Sequence, residues 1–285
     1  MTQAGTQART YPEGVTSWVD IEVDDVEAAR AFYGGLFGWT FTQATPPEAP
    51  VRYLVAQLDG QDVAGIGGRA DSSTATPRWN TYVAVDDIEA VASSVVATGG
   101  RVIDPPADAG EGGRAATCAD PAGVQFRLWQ ARQRLGAQMT NTPGSWNFSD
   151  LVASDPGASA TFYGRVFGWE FDELGFATMV RRPGYGDHLA STIDPGIHER
   201  QSGDMVPPGF ADAIAWLNPA GGDADPGWQV TFTVADRDET AAKAEELGGK
   251  VVRRGDTEWT KDAVIADPTG AEFTASQFTP PEGEY

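Results

Sequence analysis

Apolar and polar residues alternate through Trp18-Val-Asp-Ile-Glu-Val23 and again through Trp146-Asn-Phe-Ser-Asp-Leu-Val152. That two-residue period predicts strands with one buried face. The period then changes. After Asp25, the residues Ala29, Phe32, Tyr33 and Leu36 fall at helical spacing, with the Asp placed to cap the first turn and Gly38 to end the last. The aromatic and β-branched run Trp39-Thr-Phe41 predicts a return to strand. Further strands are expected near 52–58 and 61–67, with Thr45–Pro50 left as a loop by its three prolines.

The same succession starts afresh at Trp79-Asn-Thr-Tyr-Val-Ala-Val85. A helix is predicted over Ile88–Thr98, ended by Gly99-Gly100, and a strand over Arg101–Ile103. Pro105-Pro106 and Gly110-Glu-Gly-Gly113 predict a loop. A hairpin follows, turning at Asp120-Pro-Ala-Gly123. The segment from Asp71 to Pro77 reads as a linker.

These patterns are duplicated. Phe32-Tyr-Gly and Phe37-Gly-Trp39 recur as Phe162-Tyr-Gly and Phe167-Gly-Trp169 at a constant offset of 130 residues. Trp79, Gly99-Gly100 and Asp120-Pro-Ala-Gly123 recur as Trp228, Gly248-Gly249 and Asp267-Pro-Thr-Gly270, the first two at an offset of 149. The second half is thus longer by about one small insertion, expected within 195–226, where it is a candidate lid or a plain surface loop. Four strand–helix–strand–strand–strand units result.

Composition narrows the function. With 41 acidic against 20 basic residues the net charge is −21, which argues against a nucleic acid or an anionic membrane as partner. One cysteine, Cys118, fits a reducing compartment and a buried structural role. No apolar leader or long apolar run stands out, so a cytoplasmic protein is expected.

The paired Phe-Tyr-Gly/Phe-Gly-Trp helices, the double glycines and the two Asp-Pro-x-Gly turns resemble the vicinal oxygen chelate superfamily of glyoxalases, extradiol dioxygenases and bleomycin-resistance proteins. The resemblance implies an α+β fold of four βαβββ modules. They would form two glyoxalase-like domains, at 14–132 and 143–279, joined by a linker at 133–142, each with an open sheet cleft. It also allows a homodimer.

Metal-using members of that family place a His or Gln seven residues before the helix-capping Asp, and a Glu on the strand after the Asp-Pro-x-Gly turn. Here those positions hold Trp18, Phe148, Asn80, Gln229, Arg127 and Thr274. Trp, Phe, Arg and Thr are not ordinary ligands of a divalent ion, and Asn80 and Gln229 are weak ones that would need carboxylate companions, so neither a metal nor another cofactor is expected. The two histidines, His188 and His198, read as solvated or structural residues of a loop and a strand.

By the resemblance, the Trp18 face of the first strand looks into the cleft. Cleft one would hold Trp18, Asn80, Tyr82, Arg127 and Trp129, with Asp20 and Glu22 as candidate bases. Arg127 is placed either to pair with one of those carboxylates or to hold an acidic ligand group. Cleft two would hold Phe148, Gln229, Thr231 and Thr274, with Asp150 and Glu272 as candidate bases. The expected partner is a hydrophobic or aromatic small molecule, bound without a metal as in the antibiotic-binding branch of the family. The alternative is a metal-independent tailoring enzyme of natural-product synthesis that uses a cleft carboxylate as base. A metal-dependent lyase or dioxygenase is the least favoured.

Overall fold

The computed structural model describes residues 8–69, 76–175, 177–203, 206–221 and 225–280. Most of the expected linker at 71–77 lies outside them. The first module comprises β1 (Thr16–Val23), α1 (Val26–Phe37), β2 (Thr40–Gln43), β3 (Tyr53–Leu58) and β4 (Gln61–Gly68). The second comprises β5 (Trp79–Ala84), α2 (Ile88–Ala97), β6 (Arg101–Asp108), β7 (Gly113–Ala119) and β8 (Gln125–Ala131). The third has β9 (Trp146–Ala153), α3 (Pro156–Phe167), β10 (Glu170–Glu173), β11 (Thr178–Arg181), α4 (Tyr185–Thr192), α5 (Ile197–Arg200) and β12 (Ala213–Pro219). The fourth has β13 (Gly227–Thr233), α6 (Arg237–Glu246), β14 (Lys250–Asp256), β15 (Thr260–Ala266) and β16 (Glu272–Phe278).

The strands form two eight-stranded mixed sheets, one per half of the chain. Their orders are β2-β3-β4-β1-β5-β8-β7-β6 and β10-β11-β12-β9-β13-β16-β15-β14. The four long helices start as their sequences dictate: Asp25, Asp87, Asp155 and Asp236 each accept backbone N–H groups of the first turn. Such a cap contributes about 1 kcal/mol. Gly38 (φ 74°) and Gly168 (φ 69°) end α1 and α3 in the left-handed region, where a side chain would be strained.

Contacts divide the chain into two compact units, and each draws on both halves. One holds the described residues up to Ser17 with Tyr82–Gln138 and Asp150–Trp228, and so joins the second module to the third. The other holds Trp18–Thr81, Met139–Ser149 and the residues from Gln229 on, joining the first module to the fourth. The duplicated motifs supply the joints. In the second unit the Tyr33 hydroxyl of α1 donates to Asp267 of the β15–β16 turn at 2.9 Å, and the Trp39 indole donates to the Gly144 carbonyl at 2.6 Å. In the first, Tyr163 of α3 reaches Asp120 of the β7–β8 turn at 3.5 Å, and Trp169 donates to the Gly14 carbonyl at 2.6 Å. The Tyr33–Trp39 and Tyr163–Trp169 rings stack in both. The double glycines let the partner module come close: a Cβ at Gly249 would meet Phe32 at 3.0 Å, and one at Gly100 would meet Phe162 at 2.9 Å.

Two expectations are corrected. Strand β6 runs on through Pro105 and Pro106, where a loop was expected. It is the outermost strand of its sheet, and its register with β7 slips between Val102 and Asp104 and between Asp104 and Ala107. Proline is tolerated in such irregular edge positions because no ladder N–H is lost there. Secondly, Ala213–Pro219 is an interior strand, β12, and not part of a surface loop. The elements that the first half lacks, α4 and α5 with a short 3-10 turn at Phe210–Asp212, lie between β11 and β12 and overlap the stretch 195–226.

Candidate functional site

On β1, Trp18, Asp20 and Glu22 share one face by strand alternation, and each is differently enclosed. Asp20 is wholly buried, Trp18 is 4% exposed, and Glu22 is half-buried. A buried carboxylate costs heavily unless donors surround it. Asp20 has them: the Tyr53 hydroxyl donates to Oδ2 at 3.0 Å and the Asn80 amide to Oδ1 at 2.8 Å. The Trp18 indole in turn donates to the Tyr53 hydroxyl at 2.9 Å.

Tyr53 was not singled out from the sequence. It reaches Asp20 from β3 because the intervening strand has no side chain in the way. Gly65 on β4 pairs with Asp20 in register, and a Cβ there would lie 2.0 Å from the Tyr53 hydroxyl oxygen. A Cβ at Gly67 would press on the same ring at 3.2 Å. Glycines two apart on one strand face were the signal available in the sequence, since they mark a close approach from a neighbouring strand.

The remaining candidates of the first half form a second cluster. Tyr82 on β5 and Arg127 on β8 are register partners, and the guanidinium donates to the Tyr82 hydroxyl at 2.8 Å. It also lies 5.5 Å from the Tyr82 ring centroid, within cation–π range. Trp129 packs edge-on against Tyr82 and donates its indole N–H to the Arg134 carbonyl.

In the second half, Thr231 and Thr274 are register partners on β13 and β16, and Gln229 lies two residues before Thr231 on the same face. Phe148 and Asp150 are half-buried on β9. Glu272 opens β16 opposite Ala266 and is solvent-exposed. His188 and His198 sit on α4 and α5, not on a loop and a strand as expected. His188 is tied to Thr10 at 3.0 Å and His198 to Asp187 at 3.0 Å. Beside His198 a cavity of about 160 Å³ is lined by Asp187, His198, Phe210 and Asp212. Cys118 is fully buried, and burial pushes its thiol up to about 11, away from nucleophilic use.

Of the positions that the family resemblance assigns to a metal, Trp18 and Arg127 do not fit one. Trp18 offers an indole N–H already donated to Tyr53, and Arg127 a cation that donates to Tyr82. Neither has a lone pair for a divalent ion. Among the described residues no three His, Cys, Asp or Glu converge as a metal-ligand group.

Modules of this topology, in tandem and with these joints, define the class. The model for the glyoxalase/bleomycin resistance protein/dioxygenase superfamily matches residues 16–128, and that for a glyoxalase-like domain matches 134–276. The chain belongs to this superfamily. It is 33% identical over 95% of its length, and 97% of the relative's, to CFP32 of Mycobacterium tuberculosis, a protein provisionally named a glyoxylase. It is also 33% identical to the anthracycline biosynthesis protein DnrV of Streptomyces peucetius, over 94% of both chains. Among solved structures, the Mn(II)-bound glyoxalase of Novosphingobium aromaticivorans shares the fold with a TM-score of 0.59. It is 14% identical, over 96% of this chain and 86% of that one. No helix among the described residues is long and apolar enough to cross a membrane.

Proposed function

We propose that this protein binds an aromatic small molecule without a catalytic metal, on the sheet face that carries Trp18 and Asn80. The observation that carries the reading is the hydrogen-bonded set Trp18–Tyr53–Asp20–Asn80. It puts an indole and a polar network where metal-using relatives of this fold need ligands. A mostly apolar surface with a few fixed polar groups is the usual make-up of a small-molecule site. Likeness to an anthracycline biosynthesis protein supports a flat, fused-ring ligand and a role in natural-product metabolism.

Native mass spectrometry of freshly purified, tag-free protein tests this. The expected result is a metal-free chain that retains, or takes up on titration, an aromatic molecule. One transition metal per chain would overturn it.

The same likeness supports a second reading, a tailoring enzyme with a carboxylate base. Of the two carboxylates on this face the base would then be Glu22, because Asp20 is wholly enclosed and both its oxygens already accept hydrogen bonds. Glu22→Gln then abolishes turnover of the bound molecule while leaving its affinity nearly intact. Equal turnover in the variant would reject Glu22 as the base, and a parent chain that leaves the bound molecule unchanged would reject the enzyme.

A further inference from the structure

The two sheets are duplicates in topology, yet their equivalent faces are furnished differently. The offset of 130 aligns Asp20 with Asp150. In the first sheet Asp20 pairs in register with Gly65. In the second, β9 and β12 pair Leu151 with Leu217, so Asp150 lies beside Trp216. Matching the β10–β11 register (Glu173 with Thr178) to that of β2–β3 (Gln43 with Leu54) places Ala177 where the first half has Tyr53. The second face therefore has neither the glycine that makes room nor the tyrosine that uses it. It carries a large indole instead, which lies 6.1 Å from the Phe210 ring of the inserted segment.

The first face also has a definite polarity. The Asn80 group that meets Asp20 Oδ1 at 2.8 Å is the amide NH₂, which donates. That fixes the Asn80 side chain the other way round at its far end: the carbonyl oxygen, bonded by no described group, is presented as an acceptor on a half-buried residue. Asp20 is in this sense a positioning residue. Wholly buried, it acts through Asn80 and Tyr53.

We propose that the chain has one ligand site, on the Trp18–Asn80 face of the first sheet. It selects an aromatic ligand carrying a hydrogen-bond-donating hydroxyl, which Asn80 accepts, while Trp216 occupies the equivalent place on the second sheet. This rests on the binding function proposed above.

The test uses the full chain with two probes, 2,6-dihydroxyanthraquinone and its dimethyl ether, which has the same rings without the donors. Affinity is read by quenching of tryptophan fluorescence and stoichiometry by native mass spectrometry. The expected result is one dihydroxy probe per chain, with the ether at least about tenfold weaker, as loss of one good hydrogen bond to a buried partner implies. Asn80→Ala should erase the difference between the probes. A variant that merely fails to fold would lose both probes together, and its unfolding transition would reveal that. Gln229→Ala, at the matching position of the second half, should change neither affinity nor stoichiometry. Two equivalent sites, a preference that survives Asn80→Ala, or loss of binding in Gln229→Ala would each overturn the single-site inference while leaving the binding function standing. Failure of both probes to bind the parent chain would remove the binding function itself, and this inference with it.

Discussion

Tyr33 and Tyr163 are wholly buried, and each hydroxyl is directed at the carboxylate of an Asp-Pro-x-Gly turn. Tyr33→Phe would keep the ring stacked on Trp39 but leave the Asp267 Oδ2 without that donor. Urea unfolding should show a loss of about 1–3 kcal/mol. Tyr163→Phe should cost less, since its contact with Asp120 is the longer one at 3.5 Å. The Asp120 carboxyl itself is held above the usual carboxylate range, chiefly by burial. A folded pKa above the unfolded one means that the folded chain holds the proton more tightly. The group's stabilising contribution is therefore present at acid pH and is lost as pH rises from the ordinary carboxylate value through the raised one. The difference in unfolding free energy between the parent and Asp120→Asn, followed across that window, should fall on the alkaline side. A flat difference would contradict the shift.

Helix α4 is held from outside its own module. Arg9 donates to the Tyr185 hydroxyl at 2.9 Å, Thr10 meets His188, and Gln138 exchanges two hydrogen bonds with the Arg9 backbone. Arg9→Ala should speed amide exchange over 185–192 while the interior strands β9 and β12 stay protected. Uniform protection would mean that α4 stands without this tie. None of it was legible in the sequence, because Arg9 and Tyr185 meet only through the tertiary fold. What could be read was local. The capping aspartates, the glycine stops and the alternating runs each act within a turn or a strand, and they located the four modules. Strand β6 escaped because Pro105-Pro106 signals a break wherever it occurs, and only its place at a sheet edge makes it tolerable. The site was half legible for the same reason. Alternation picked out Trp18, Asp20 and Asn80, whereas Tyr53 depends on a side chain that Gly65 does not have.

At the scale of the molecule, each unit takes one module from each half of the chain, so neither half contains a finished core. Expressed alone, residues 1–132 would expose the α1 face that meets Leu247 and Gly249, along with the Val95 and Phe126 surface that meets Phe162. That fragment should aggregate or self-associate on size exclusion, and co-expression with residues 133–285 should restore a soluble complex. A stable monomeric fragment would contradict the shared cores.

The tether between the halves has a thermodynamic consequence. The first module meets the fourth, and the second the third, as segments of one molecule, at an effective concentration that a short linker sets in the millimolar range. An encounter that would be second order between separate chains has become first order. The unfolding midpoint of the intact protein should therefore not move with dilution, whereas that of the two-fragment complex should fall as its concentration is lowered.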